Sequence, residues 1–394
     1  MFKKIKIIFF SLFKSRFCIL KNTKKKFIIF DKEGSLDLIK ILPENSYFIL
    51  ETRSENLSKI YFSKKIIFKT LKNFLFKKKK LFNSYLISII EEIEPEVVIT
   101  FIDNSFKFFE ISKVLEDKIK FIAIQHSSRY DLLRHKLEYQ KGIRSEDLSK
   151  RFYIPHFYCF GQHEKEHYTK NNIYVKKFNI IGSLKLMNAM QYFEEKKEKF
   201  HKNKYDICLV SDDGYDFNKT FKEKTLETDY ALIAKNTIKY SMKFNKKFIF
   251  SWKRYKNHGD HKKEYSFYKN NLNESEFNYL LENSIFKDDN YNSYRCILQS
   301  NIVIGVTTTM LRETLSLKGK ILTCNYTSLP YFNFPVNGVF VQQNHGYDNF
   351  EKKLTLLLNM SHEEYLKKIE SIGEYTIKYY DKEDLKNLKR KIQS

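Results

Sequence analysis

The stretch Ile302-Val303-Ile304, Gly305-Val306-Thr307-Thr308-Thr309, Met310-Leu311-Arg312-Glu313 joins a short apolar run, a glycine turn with three hydroxyls and the start of a helix. An apolar run of this length bounded by a turn reads as a strand covered on both faces, and a strand feeding a helix is half of a parallel βα crossover. One residue suffices to cap a helix. Three β-branched residues in a row are poor helix formers, so the set favours a ligand-facing role over capping alone. A helix start offers anions unpaired backbone N–H groups and the positive end of the helix dipole. Gly305, Thr307, Thr308 and Thr309 are therefore candidates for binding phosphate, with Glu313, one turn on, placed to accept hydrogen bonds from a ribose.

The same rhythm extends in both directions. Strands are expected at Asp206–Val210, Lys247–Ser251, Cys296–Gln299, Lys320–Cys324 and Val339–Val341. An earlier series covers Phe27–Phe30, Tyr47–Leu50, Val97–Phe101, Phe121–Gln125, Phe157–Phe160 and Phe178–Ile181. Apolar residues at helical spacing mark Ser84–Glu94 and Phe106–Asp117, and Gln162–Lys170 reads as a polar helix. Residues 190–204, with Glu194-Glu195-Lys196-Lys197-Glu198-Lys199, lack an apolar face and read as a connector. The 394 residues suffice for two domains at roughly 150 residues each. The expected organisation is a basic amphipathic segment at 1–25, α/β domains at 26–189 and 205–365 around the connector, and a C-terminal helix at 366–394.

Lysine and arginine outnumber aspartate and glutamate by 71 to 47, a formal charge of +24, while 36 phenylalanines and 27 tyrosines exclude a disordered polycation. Lys, Asn, Ile, Phe and Tyr share A/T-rich codons, so codon bias accounts for part of the charge. The rest favours acidic partners such as nucleotides, anionic lipid or nucleic acid. A nucleic-acid reader is disfavoured, because no RRM signature, zinc-finger spacing or basic region with zipper heptads occurs. Five scattered cysteines with no CxxC pair fit a reducing, cytoplasmic compartment. Near the N-terminus Lys3, Lys4 and Lys6 precede Ile7-Ile8-Phe9-Phe10-Ser11-Leu12-Phe13, and Lys14 and Arg16 interrupt the run. Roughly 20 apolar residues are needed to cross a bilayer, so residues 1–21 suit either an anionic membrane surface or packing on their own domain. Lys77–Lys80 is either a solvated loop or a second patch facing phosphates or lipid.

In open parallel sheets ligands sit beyond the carboxyl ends of the strands. The first such loop is Asp31-Lys32-Glu33-Gly34-Ser35, where either carboxylate can take a proton from a hydroxyl or cap a helix. It is not a GxGxxG fingerprint, and no Walker lysine pattern occurs. Asp103-Asn104-Ser105 follows the third strand and Gln125-His126-Ser127-Ser128-Arg129 the fourth. His126 reads as a proton carrier or as a hydrogen-bonded structural histidine. Ser251-Trp252-Lys253-Arg254 brings two cations to a strand end, where fixed positive charge can neutralise a departing diphosphate. No DxD triplet occurs, Asp212-Asp213 reads as an acidic turn, and His163 with His167 completes no HExxH pattern, so no metal site is expected.

Taken in order, these loops resemble bacterial surface-carbohydrate biosynthesis proteins of the GT-B glycosyltransferase type. The resemblance rests on Phe30-Asp31-Lys32-Glu33-Gly34, Gln125-His126, Phe160-Gly161 with Ile181-Gly182-Ser183, and Thr307–Glu313 with Asn333-Phe334-Pro335 and Gly338, and covers nearly the whole chain beyond residue 25. It implies two Rossmann-like domains with parallel sheets facing across a cleft, and a last helix crossing back to the N-terminal domain. It further implies a nucleotide sugar on the C-terminal domain, at Gly305, Thr307, Thr308, Thr309, Lys253, Arg254 and Glu313. A glycan or lipid-linked acceptor would face Gly34, Ser35, Gln125, Ser127 and Arg129. Ser127 stands where many relatives have glycine, which bears on how closely backbone and ligand approach there. The implied reaction is metal-independent transfer with Asp31, Glu33 or His126 as base and no cofactor beyond the donor, in capsule or lipopolysaccharide assembly at the inner face of the cytoplasmic membrane. A CDP-polyol phosphotransferase of similar scaffold is the alternative.

Overall fold

The computed structural model describes residues 15–20, 24–53, 57–76, 80–128, 152–171, 173–212, 226–254, 256–285, 291–327 and 329–393. Two parallel sheets and one small ribbon organise them. The ribbon pairs β1 (Arg16–Ile19) with β4 (Lys59–Phe62). The first sheet holds β2 (Phe27–Phe30), β3 (Tyr47–Leu50), β5 (Val97–Thr100), β6 (Lys120–Ile124), β7 (Tyr153–Cys159) and β8 (Tyr174–Ile180) in the order β3-β2-β5-β6-β7-β8. The second holds β9 (Tyr205–Val210), β10 (Phe248–Ser251), β11 (Ser300–Gly305), β12 (Lys320–Cys324) and β13 (Val341–Gln342) in the order β10-β9-β11-β12-β13.

Period-two alternation explains why β2 lies at the centre of its sheet. Phe27 and Ile29 enter one apolar cluster with Ile99 and Ile122, while Ile28 and Phe30 enter another with Val98, Phe108 and Phe121, so both faces are covered. In each sheet the strand order reverses beside the first strand, between β2 and β5 and between β9 and β11. Reversals of this kind leave a crevice at the carboxyl edge, and the candidate loops lie there.

The structure differs from the sequence reading in several elements. Cys296–Gln299, expected as a strand, lies largely in the helix Asn292–Leu298, because a four-residue apolar run does not distinguish a strand from the buried side of a short helix. The helix Leu184–Glu195 takes the first residues of the expected connector. Its Leu186, Ala189 and Phe193 pack in the second lobe, and its Leu184 and Met187 in the first. The C-terminal stretch is two helices, His362–Thr376 and Asp384–Gln393. The last of them crosses back as the resemblance implies, placing Leu385, Leu388 and Ile392 against Phe27 and Ile29. Residues 1–14 of the amphipathic segment and Lys77–Lys79 lie outside the described residues.

Candidate active site

The β9/β11 crevice gathers three loop ends of the second lobe. Thr307 Oγ1 donates to Asp212 Oδ2 at 3.0 Å, and Lys253 Nζ, just beyond β10, lies 3.0 Å from Asp212 Oδ1. The threonines divide their work. Thr308 is the N-cap of the helix Thr309–Ser316, accepting from the Met310 N–H at 3.4 Å, whereas Thr309 Oγ1 accepts from the Ser128 N–H of the first lobe at 3.1 Å. Capping thus uses one of the three, and all three remain half-buried at the carboxyl edge. Gly305 ends β11 and starts the turn.

Beneath the cations lies Glu264, which the sequence reading passed over. It is buried and accepts from Ser211 Oγ at 2.5 Å and from the backbone N–H groups of Lys253 and Arg254 at 2.9 and 3.0 Å. Burial raises its carboxyl pKa against the pull of these hydrogen bonds. Its role is to hold the backbone from which Lys253 and Arg254 project.

In the first lobe, Asp31 is buried directly after β2, with φ 88°. Its Oδ1 accepts from the Glu33 N–H at 3.1 Å, and its Oδ2 accepts from Thr52 Oγ1 at 3.0 Å and Arg53 Nε at 3.1 Å. Arg53 also pairs with Glu33. Both carboxylates therefore take part in holding the turn. Gly34 adopts φ 78°, in the left-handed region that favours glycine, and caps the short helix Ser35–Leu38, whose Ser35 is buried. His126 follows β6; its backbone N–H donates to Asp103 Oδ1 at 3.3 Å, and its half-buried ring sits edge-on to Phe101 at 4.9 Å. Ser127 and Ser128 are half-buried beside it, and Ser128 Oγ is buried with no hydrogen-bond partner among the described residues. Arg129 and Asp213 lie outside the described residues.

Two of the residues expected at a ligand, Gln125 and Glu313, are buried and hydrogen-bonded within the protein. Gln125, expected on the acceptor side, is 1% exposed. Its Nε2 donates to the Ser127 carbonyl and Glu164 Oε1, and its Oε1 accepts from the Phe160 N–H at 2.8 Å, so the amide is taken up in joining β6 to β7. Glu313, expected at a ribose, is also 1% exposed, and its Oε1 accepts from Ser183 Oγ at 2.5 Å and Tyr294 at 3.0 Å. Burial raises its pKa, while those bonds and the Lys185 charge work the other way. It ties the helix Thr309–Ser316 to the N-cap of the helix Leu184–Glu195.

Next to it in sequence, Arg312 is fully buried and pairs with the buried Glu164 at 2.5 and 2.8 Å. Nothing in the local spacing marks this pair; both residues sit in ordinary helix patterns and meet only through the fold. Lys185, within 5.9 Å of the Phe101 ring centre, is a further cation at this seam that the sequence reading did not single out. Among the described residues, no group of three or more His, Cys, Asp or Glu side chains is arranged to hold a metal ion.

No protein-family model matches the chain, and no curated protein matches it. Solved structures do match. The UDP-GlcNAc 2-epimerase of Methanocaldococcus jannaschii, in complex with UDP-GlcNAc and UDP, is 12% identical, with 94% of this chain and 99% of that chain covered and a TM-score of 0.54. A variant of the wall teichoic acid polymerase TagF is 12% identical over 99% of this chain and 93% of its own, with a TM-score of 0.51. A putative UDP-N-acetylglucosamine 2-epimerase from Listeria monocytogenes is 9% identical over 94% and 96%, also at 0.51. At such identities the likeness establishes architecture: the chain has the GT-B fold, two Rossmann-like units each built on a parallel sheet.

Proposed function

We propose that the protein is a glycosyltransferase that moves a sugar from a nucleotide-activated donor to a glycan or lipid-linked acceptor in surface polysaccharide assembly. The observation that carries this reading is the meeting of the two carboxyl edges at Ser128 and Thr309, beside the Thr307–Asp212–Lys253 cluster. A donor diphosphate fits there, against the start of the helix Thr309–Ser316 and the cations Lys253 and Arg254. In the transfer the acceptor oxygen bonds to the anomeric carbon, the bond from that carbon to the phosphate oxygen breaks, and the nucleotide leaves with the electron pair. Lys253, Arg254 and the helix start offset its charge. The acceptor proton passes to the ring of His126, half-buried directly after β6 at the carboxyl edge of the first lobe. Asp31 and Glu33, engaged with Arg53, shape the acceptor side together with Gly34, Ser35 and Ser127. The donor is the only small molecule in this scheme.

Support comes from the Methanocaldococcus structure, which holds UDP-GlcNAc and UDP on the same fold. Thermal unfolding with UDP-, GDP-, CMP- and CDP-linked sugars tests the reading. One donor class is expected to stabilise the protein by about 2.7 kcal/mol at ~100 times its dissociation constant, and stabilisation by none of them overturns it. The TagF likeness across 99% of this chain favours one second reading, transfer of a polyol phosphate from a CDP-linked donor. A response to CDP-glycerol with none to nucleotide sugars selects that alternative.

A further inference from the structure

The helix Lys64–Phe76 turns its apolar side outward. Ile67, Phe68, Leu71, Phe74 and Leu75 are 52, 69, 49, 41 and 63% exposed, while Ile66 and Asn73 are buried. At about 100° per residue, these five fall in one arc about 120° wide, roughly opposite the two buried ones, while a sixth exposed apolar residue, Phe76 at 81%, ends the helix about 80° outside that arc. A soluble helix shows the reverse pattern, and a contiguous exposed apolar patch marks an interaction surface. The charges around the arc are of one sign, for the helix carries four lysines and no acidic residue. Lys65 and Lys69 lie 3.7 Å from Glu92 of the helix Leu81–Ile93, on the flank toward the body of the lobe. Lys64 and Lys72 are exposed, Lys64 at the N-terminal end of the apolar arc and Lys72 about 40° beyond its edge. The strand β4 leads straight into this helix, and its partner β1 exposes Phe17 and Ile19, each at 65%.

We propose that the outward face of Lys64–Phe76 docks on an anionic lipid bilayer, with Phe68, Leu71 and Leu75 entering the boundary below the headgroups and Lys64 and Lys72 meeting their negative charge. An arc of bulky apolar residues bordered by lysines has the chemistry of a helix lying in the membrane interface. Charge decides between this occupant and a second copy of the chain. A twofold pairing of the face brings together two helices that carry four lysines each and no acidic residue, whereas an anionic headgroup layer complements them. The proposal does not depend on the identity of the donor.

Sedimentation of the full chain with vesicles tests this, using phosphatidylglycerol mixed with phosphatidylcholine against phosphatidylcholine alone. The expected result is pelleting with the mixed vesicles only, weakened by added salt as the Debye length shrinks from about 10 Å. Phe68→Ser/Leu71→Ser/Leu75→Ser, with residues 1–21 intact, is expected to pellet at least about tenfold less at an unchanged thermal midpoint, since these side chains face solvent. Lys64→Glu/Lys72→Glu keeps the apolar arc and is expected to lose the preference for anionic vesicles, so the test survives if the triple variant misfolds. Unchanged pelleting of both variants overturns the proposal. So does a wild-type dimer in light scattering that the triple variant dissolves without any change in vesicle binding; that result assigns the face to a second copy.

Discussion

Glu313 and Glu264 are carboxylates kept out of water by the fold, and burial raises both pKa values. A carboxyl group whose folded pKa exceeds its unfolded value stabilises the protein below the unfolded pKa, and that contribution is lost as pH rises through the folded one. Glu313→Gln keeps the shape without the charge, so it is expected to flatten the fall in stability as pH rises above 4.5, the ordinary glutamate value. Denaturant midpoints of wild type and variant across that range check this, and parallel curves refute it. Lys253 poses the opposite case. Its pair with Asp212 is partly exposed, so Lys253→Met is expected to change stability by less than about 1 kcal/mol while weakening donor binding about tenfold, about 1.4 kcal/mol, by calorimetry. The cations and the threonines were legible because a run of like residues at a strand end stands out locally. Glu264 was not, since its partners, the Arg254 and Lys253 backbone and Ser211, lie 10, 11 and 53 positions away, outside the reach of any helical or strand periodicity.

The helix Thr309–Ser316 joins the chemistry of its first turn to the seam between the lobes. Thr308 caps it, and Thr308→Ala is expected to cost about 1 kcal/mol, read by chemical denaturation. One turn on, Arg312 pairs with Glu164 with neither side chain exposed. Burial pushes the Glu164 carboxyl up, but the Arg312 guanidinium and the neighbouring His163 ring together outweigh it and hold the group down at about 2. With the folded pKa depressed, the pair's contribution is present above the unfolded glutamate value and is lost as pH falls toward about 2. Removing one partner leaves a buried charge, so Glu164→Gln or Arg312→Met alone is expected to destabilise by about 3–5 kcal/mol. Glu164→Leu/Arg312→Met is expected to recover much of that loss in a double-mutant cycle; additive losses would show that the pair is not coupled. At this scale the sequence marks β2, β5 and β11 clearly, because period-two burial on both faces leaves an unbroken apolar run. It leaves Cys296–Gln299 ambiguous, and it conceals the outward helix Lys64–Phe76, whose spacing resembles that of any amphipathic helix.

Across the whole molecule, the C-terminal return fastens one lobe to the other. The Lys378 N–H donates to the Phe160 carbonyl at 2.8 Å, and a Cβ on Gly161 would fall 2.6 Å from the Tyr375 carbonyl oxygen. Beyond this crossing, Leu385, Leu388 and Ile392 complete the apolar face formed by Phe27 and Ile29. Deleting Asp384–Ser394 is expected to destabilise the first lobe through exposure of that face and to lower its thermal midpoint; an unchanged midpoint would show the helix to be dispensable. What the amino-acid order determined alone is the succession of buried strands and helices, the polar loops at strand ends and the two-lobed plan, since each follows from residues within a few positions of one another. Which of those polar residues face the cleft was decided only by the tertiary structure. Gln125, Glu313 and Arg312 find their partners 35, 130 and 148 positions away, and a hydrogen bond over such a separation leaves no periodicity in the chain.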